Sequence, residues 1–215
     1  MRHVRTVTTA SLMAGSFAVL HHLGRTAGTI ADERAARLPG DQLVTHPMMI
    51  TNHAITIDAP PADVWPWLAQ MGWHRGGWYT SAWVDRLFFP ANWPSADHLE
   101  PQLQQIGLGS WIPDGPPASR CGFFVRALQP SHHLVLHSTK HLPPEFADRF
   151  TAWIDWSWAF VLHDVPGGHT RFQFRSRLRV GPWWLATLYW AVLIPADFVM
   201  SRQMLRGVKR RAEAA

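Results

Sequence analysis

The chain has 215 residues, enough for one domain with an appendage and long enough to bury a core unaided. Apolar residues at 47% and charged ones at 16% exclude a disordered chain, and a single cysteine, Cys121, excludes an internal disulfide framework and any cysteine-based zinc cluster. The 20 basic and 15 acidic side chains give a formal charge of +5, but no nucleic-acid motif accompanies it, so the expectation is a solvated arginine-rich surface and no nucleic-acid partner.

Arg2 and Arg5 precede an uncharged run of 14 residues, Val7 to Leu20. Three readings compete: a marginal membrane anchor, a signal-like peptide, or a helix packed on the domain. A spanning helix needs about 20 apolar residues, and no small-x-small cleavage site follows directly. Residues 1–30 are taken as a hydrophobic N-terminal segment, with the anchor favoured. The protein is then membrane-associated through that segment, or cytoplasmic if the segment packs on the domain. Arginines on both flanks decide the orientation poorly. Residues 31–47 are polar and carry the turn signal Leu38-Pro39-Gly40-Asp41, so they read as a linker. The domain proper is expected at 48–215.

Residues 49–58 alternate apolar and polar side chains and predict a first strand. Val64, Trp65, Leu68 and Met71 recur at helical spacing after Pro60-Pro61, which predicts a helix over 61–71 that Gly72 ends. Residues 73–109 read as loop with short helices at 82–88 and 96–105. Short strands are expected at 109–113, 122–128 and 133–138.

Two longer strands, 153–165 and 169–180, flank Pro166-Gly167-Gly168, a hairpin signal. Trp156, Trp158, Phe160 and Leu162 point one way on the first. On the second, Thr170, Phe172, Phe174, Ser176 and Leu178 share one face, while Arg171, Gln173, Arg175, Arg177 and Arg179 share the other. The sheet therefore has an aromatic face and an arginine face, with a register that a one-residue slip would ruin. The arginine row suits either anionic headgroups or a solvated sheet back, and the second is favoured.

Residues 183–194 are apolar all round, and Pro195 is expected to break or kink them. Residues 196–211 read as an amphipathic helix. Phe198, Met200, Met204, Leu205 and Val208 lie on one arc, and Arg202, Arg206, Lys209 and Arg210 on the other. With Gly181, Pro182 and Pro195 in or beside the apolar run, a helix covering the sheet is preferred to a second membrane span.

This order of elements resembles the helix-grip fold. The segment Ala54-Ile55-Thr56-Ile57-Asp58-Ala59-Pro60-Pro61-Ala62-Asp63-Val64-Trp65 resembles the opening of bacterial SRPBCC proteins, the START/polyketide-cyclase-like superfamily. Arg75-Gly76-Gly77-Trp78-Tyr79, Pro195-Ala196-Asp197-Phe198-Val199-Met200 and Met204-Leu205-Arg206-Gly207-Val208-Lys209-Arg210-Arg211 resemble segments of one uncharacterised branch. The chain departs from that branch at Thr80-Ser81-Ala82-Trp83, where a Tyr-Asp would precede the tryptophan. The resemblance spans roughly residues 48–213. It implies an α+β fold in which a curved antiparallel sheet wraps around a long C-terminal helix, with an apolar cavity between them. Members of the superfamily bind lipids, sterols, polyketides or other hydrophobic molecules, and some are cyclases or aromatases.

By residue chemistry alone, an aromatic sheet face opposite a methionine-bearing helix is a ligand pocket or a filled core. The resemblance favours the pocket. Its expected lining is Trp158, Phe160, Phe172 and Phe174 on the long strands, and Met200 and Met204 on the helix. Phe123 and Val125 join them from strand 122–128, and Trp78, Tyr79 and Trp83 from the loop. Gly76-Gly77-Trp78-Tyr79 reads as a mobile lid or as a tight turn with packed aromatics, the turn being favoured. No catalytic residue is assigned; Tyr79 is the named candidate acid, and in the enzyme alternative Tyr79 or a buried histidine supplies the proton. His137 and His141 are four apart, but no helix or intervening glutamate supports a zinc site, so no metal and no cofactor is expected.

The sequence thus predicts a monomeric carrier of a hydrophobic small molecule. The alternatives are a cyclase- or hydratase-like enzyme acting in the same cavity, or a membrane-tethered accessory protein with a filled core.

Overall fold

The computed structural model describes residues 2–88 and 94–214. Six antiparallel strands form one sheet in the order β1-β6-β5-β4-β3-β2. Their ranges are β1 Met49–Ile57, β2 Trp111–Pro113, β3 Gly122–Gln129, β4 His133–Ser138, β5 Trp153–Val165 and β6 His169–Gly181. The helices are α1 Arg2–Thr26, α2 Ala31–Ala35, α3 Pro61–Ala69, α4 Ala82–Phe88, α5 Pro144–Phe150, α6 Trp183–Leu188 and α7 Ile194–Ala212.

The β5–β6 hairpin has the expected register. Trp156 faces Leu178, Trp158 faces Ser176, Phe160 faces Phe174 and Leu162 faces Phe172. This aromatic face meets α7 and α3. Phe160, Phe172 and Phe174 share one core with Val64 and Leu68 of α3 and with Met204, Leu205 and Val208 of α7. The chain therefore has the α+β helix-grip arrangement, a sheet closed over its C-terminal helix. Burying so continuous an aromatic surface supplies the main driving force for that closure.

The opposite face of the sheet is neither bare nor solvated. Residues 28–44 lie across it, which corrects the reading of 31–47 as a linker. Leu38 packs with Val135, Ala159 and Val161. Arg175, only 4% exposed, donates to the Asn52 side chain, to the carbonyls of Glu33, Arg34 and Ala36, and to Asp41. Arg171 pairs with Glu33 at 2.6 Å, and Arg177 reaches the Val44 carbonyl and Asp41. The arginine row thus serves neither solvent nor headgroups. It binds backbone carbonyls that no strand or helix satisfies. Arg179 stands apart over the Trp153 ring, 5.6 Å from its centroid.

Two further local expectations change, and one helix is added. The helix foreseen at 96–105 shrinks to a single 3₁₀ turn at Pro101–Leu103, because Pro94 and Pro101 leave too short a run between them. α5, Pro144–Phe150, is a helix the sequence reading did not include. Pro144 stands at its start, where a missing N–H costs nothing. Pro195 does not break the C-terminal helix. A π-turn over Tyr189–Leu193 widens it, with the Ile194 N–H bonded to the Tyr189 carbonyl, and α7 continues without a gap.

Of the α1 residues from 12 onward, those at the C-terminal end are the ones that pack on the domain. His21, Gly24 and Ala27 are buried, while residues 12–20 are all exposed. Gly24 is required there, because a Cβ on it would lie 1.9 Å from the Ile194 carbonyl oxygen. The Ala54 N–H then donates to the Ala27 carbonyl, which ties the helix end to β1.

Candidate ligand-binding cavity

A cavity of about 220 Å³ lies between the sheet and the helical layer. The sheet contributes Trp156 and Trp158 of β5 and Phe174 of β6. The helical layer contributes Tyr189 and Leu193 of the π-turn, and Asp197, Met200, Ser201 and Met204 of α7. Loops supply Trp78, Thr80, Asp114 and His141. A side lobe of about 40 Å³ runs on between Met49, Ser176, Leu178 and Ile194.

The aromatic walls hold one another edge to face. Trp158 makes such contacts with Trp78 at 5.3 Å, with Trp156 at 5.2 Å and with Phe174 at 5.7 Å between centroids. This geometry sets the positive ring edge against the negative ring face and fixes the wall without filling the void. The Trp156 indole N–H donates to Ser176 Oγ at 2.7 Å.

Two histidine–carboxylate pairs give the apolar cavity polar points. Asp197 accepts the Ser201 hydroxyl at 2.6 Å, and its second oxygen is 2.9 Å from His53 Nε2. His53 comes from β1 and is 1% exposed, so the pair ties helix to sheet across the core. On the loop side, His141 Nε2 is 3.1 Å from Asp114. The His141 ring packs on Phe123 and Trp156 at 4.6 and 4.9 Å, and its Nδ1 has no protein partner. Burial pushes the Tyr189 phenol up to about 12, so this wall residue is neutral at physiological pH. His137, the other member of the four-residue spacing, pairs with Asp155 at 2.7 Å instead. Among the described residues, no group of three or more His, Cys, Asp or Glu side chains converges as a metal would require.

Of the residues expected from sequence, Trp78, Trp158, Phe174, Met200 and Met204 line the cavity. Phe123 stands directly behind Trp158, 4.3 Å away. Val125, Phe160 and Phe172 lie deeper, in the filled part of the core. Trp83 is 53% exposed on α4, away from the cavity.

Tyr79 is fully buried but not in the cavity wall. Its hydroxyl donates to the Trp67 carbonyl at 2.9 Å, and its ring lies under the Arg211 guanidinium. Burial pushes its pKa above the ordinary phenol value. The Gly76-Gly77 stretch is a tight turn closed by the Gly77 N–H on the Gly72 carbonyl, and Trp78 and Tyr79 are packed inside it.

Sequence reasoning did not foresee Thr80, Asp114, His141, Trp156, Tyr189, Leu193, Asp197 or Ser201 as wall residues. One signal was available. Asp197 is the sole charged residue between Pro182 and Ser201, and a lone carboxylate in an apolar helical run needs a partner. The loop residues carried no such signal.

No known family profile matches the chain, and no curated protein matches it. Solved structures do. A hypothetical protein from Helicobacter pylori is 9% identical, with a TM-score of 0.48 over 86% of this chain and 98% of its own. The ZhuI aromatase/cyclase from Streptomyces sp. R1128 is 14% identical, with a TM-score of 0.41 over 77% of this chain and 93% of its own. The di-domain aromatase/cyclase BexL of the BE-7585A biosynthetic pathway is 20% identical, with a TM-score of 0.41. The match covers 77% of this chain but 47% of BexL, less than half its length.

Proposed function

We propose that this protein binds a compact hydrophobic small molecule between the sheet and the C-terminal helix. The observation that carries this reading is the void itself. Trp78, Trp156, Trp158, Phe174, Met200 and Met204 surround about 220 Å³ that no side chain fills. A core with no ligand to hold is normally packed without such gaps, since atoms lining a void forfeit their dispersion contacts. Methionine adapts its shape to a guest at little cost, and two of them sit on the helical wall.

The volume is below the roughly 300–1,000 Å³ typical of sites for drug-sized ligands. It favours a compact ring-bearing molecule over a long acyl chain. A polar substituent on that molecule finds charged partners on the Asp197–Ser201 side and on the His141–Asp114 side. Thr80 and Tyr189 add hydroxyls, and the rest of the wall is largely apolar, so the site selects by shape first.

Native mass spectrometry tests the reading. The wild-type protein, isolated gently, should carry a small molecule that leaves on denaturation. Met200→Trp should fill the space and lose that mass while keeping its fold. Bare protein from several preparations, with Met200→Trp less stable than wild type, would point to a core that tolerates no added volume and would sink the proposal.

A second reading, an enzyme in the same cavity, is favoured by one observation. His141 is held by Asp114 against the cavity wall, and an imidazole oriented by a carboxylate is suited to general acid–base work. His141 would give or take the proton in a cyclisation or dehydration of the bound molecule. The test uses the molecule identified in the first experiment. His141→Gln should keep binding and lose conversion; unchanged conversion would remove the enzymatic reading and leave the carrier.

A further inference from the structure

We propose that a lipid bilayer covers the apolar surface built by the free half of α1 and the outer side of the Trp183–Leu193 helical stretch. On α1, Leu12, Met13 and Val19 are 67%, 69% and 58% exposed. On the second element, Trp183, Leu188 and Val192 are 78%, 50% and 58% exposed. The two surfaces are continuous, because Trp190 touches both Phe17 and His21 of α1, at 5.8 and 4.5 Å between centroids.

The shape of the exposed surface identifies the occupant. Residues 12–20 are exposed on every side of the helix, not along one stripe. A protein partner or a second copy would bury one face and leave the other wet. A bilayer surrounds an inserted helix completely. The uncharged run Val7 to Leu20 extends about 21 Å at 1.5 Å per residue, against about 30 Å for the hydrocarbon core. Arg2 and Arg5 precede this run and stay out of the hydrocarbon, so the helix lies obliquely in the outer part of the membrane and does not cross it.

Charge and aromatic placement agree. Arg25 and Arg34 line an open cleft with Phe17, His21, His22 and Trp190 at the foot of the exposed half of α1. Cationic groups at the base of an apolar insertion suit lipid phosphates, and exposed tryptophans suit the interfacial layer. The Trp183–Leu193 stretch lies on the membrane instead of spanning it. It runs straight into α7, whose Met204, Leu205 and Val208 are buried in the grip, and it cannot leave without opening the core.

The docking has a consequence for the cavity, one that rests on the ligand-binding reading above. Tyr189 and Leu193 line the cavity from the same stretch whose outer side carries Leu188, Trp190 and Val192. The helical wall of the cavity therefore lies at the lipid surface, and the ligand exchanges with the bilayer through it.

Vesicle flotation with the full-length chain tests the docking. Vesicles of phosphatidylcholine, with and without phosphatidylglycerol, serve as the probe. The wild type should float with both, and more with the anionic mixture. The triple variant Trp183→Ser, Leu188→Ser, Val192→Ser changes only exposed side chains and should partition roughly tenfold more weakly. Arg25→Gln should remove most of the gain from anionic lipid. Equal flotation of wild type and triple variant overturns the proposal. So does a soluble dimer by light scattering that does not float. The co-purified small molecule is measured in the same variants. Flotation without a ligand sinks the carrier reading alone, and a retained ligand without flotation sinks the docking alone.

Discussion

The carbonyl oxygen of Tyr79 occupies the place where a side chain on Gly207 would begin. A Cβ built on Gly207 would lie 2.0 Å from that oxygen and 2.6 Å from Tyr79 Cβ. The loop and α7 therefore touch backbone to backbone, and Tyr79 holds a left-handed conformation, φ 58°, to make the contact. This contact seats the loop that brings Trp78 and Thr80 to the cavity. Gly207→Ala should destabilise the fold by about 1–3 kcal/mol, although alanine is the better helix former. Thermal unfolding measures it; an unchanged or higher Tm would show that the loop and helix can separate freely.

Tyr79→Phe separates a structural hydroxyl from a chemical one. The lost hydroxyl leaves the Trp67 carbonyl without this donor, and the expected cost is about 0.5–1.5 kcal/mol of stability. Ligand content by native mass spectrometry should not change, because Tyr79 does not line the cavity. A ligand lost with stability intact would return Tyr79 to the site.

Arg175 fastens residues 28–44 to the sheet. Arg175→Met removes its donors to the carbonyls of Arg34 and Ala36, leaves the Glu33 carbonyl with Gln173 alone, and leaves Asp41 with less buried positive charge beside it. A loss of about 3–5 kcal/mol is expected in denaturant unfolding. Arg175→Lys should recover little, since a single ammonium cannot reach that spread of acceptors. Near-wild-type stability in either variant would mean the covering segment holds through Leu38 and its apolar neighbours alone.

The Glu33–Arg171 pair makes part of the stability depend on pH. The hydrogen bond from Arg171 holds the Glu33 carboxyl below its ordinary value of about 4.3. A depressed folded-state pKa means the unfolded chain binds the proton more readily. The pair's contribution is therefore fully present above the ordinary value and is lost as pH falls through the folded one. Glu33→Gln should cost about 1–3 kcal/mol at neutral pH, and progressively less in acid. A difference from wild type that stays constant from neutral pH into acid would show that the carboxylate charge contributes nothing.

Strand alternation was legible in the sequence because it is local. Side chains two apart share a face whatever lies opposite, so 153–165 and 169–180 announced an aromatic face, an arginine face and their hairpin register. The helical stripe of Met200, Met204 and Val208 was legible for the same reason. The fate of the arginine row was not. Its acceptors lie in residues 28–44, more than a hundred positions earlier in the chain, and nothing in a polar stretch with a turn says which surface it will cover. The cavity divides the same way. Of its walls, Trp158, Phe174, Met200 and Met204 follow from periodicity, whereas Trp78 stands on a loop that has none. The cavity's polar points depend on where loops stop: Asp114 and His141 are 27 residues apart and meet only because β2, β3 and β4 return them to one rim. The amino-acid order by itself determined which surfaces are apolar, since that needs only composition and period. Tertiary structure alone decided how each charge is satisfied and where packing leaves a void, because both depend on distances between segments that the chain brings together only on folding.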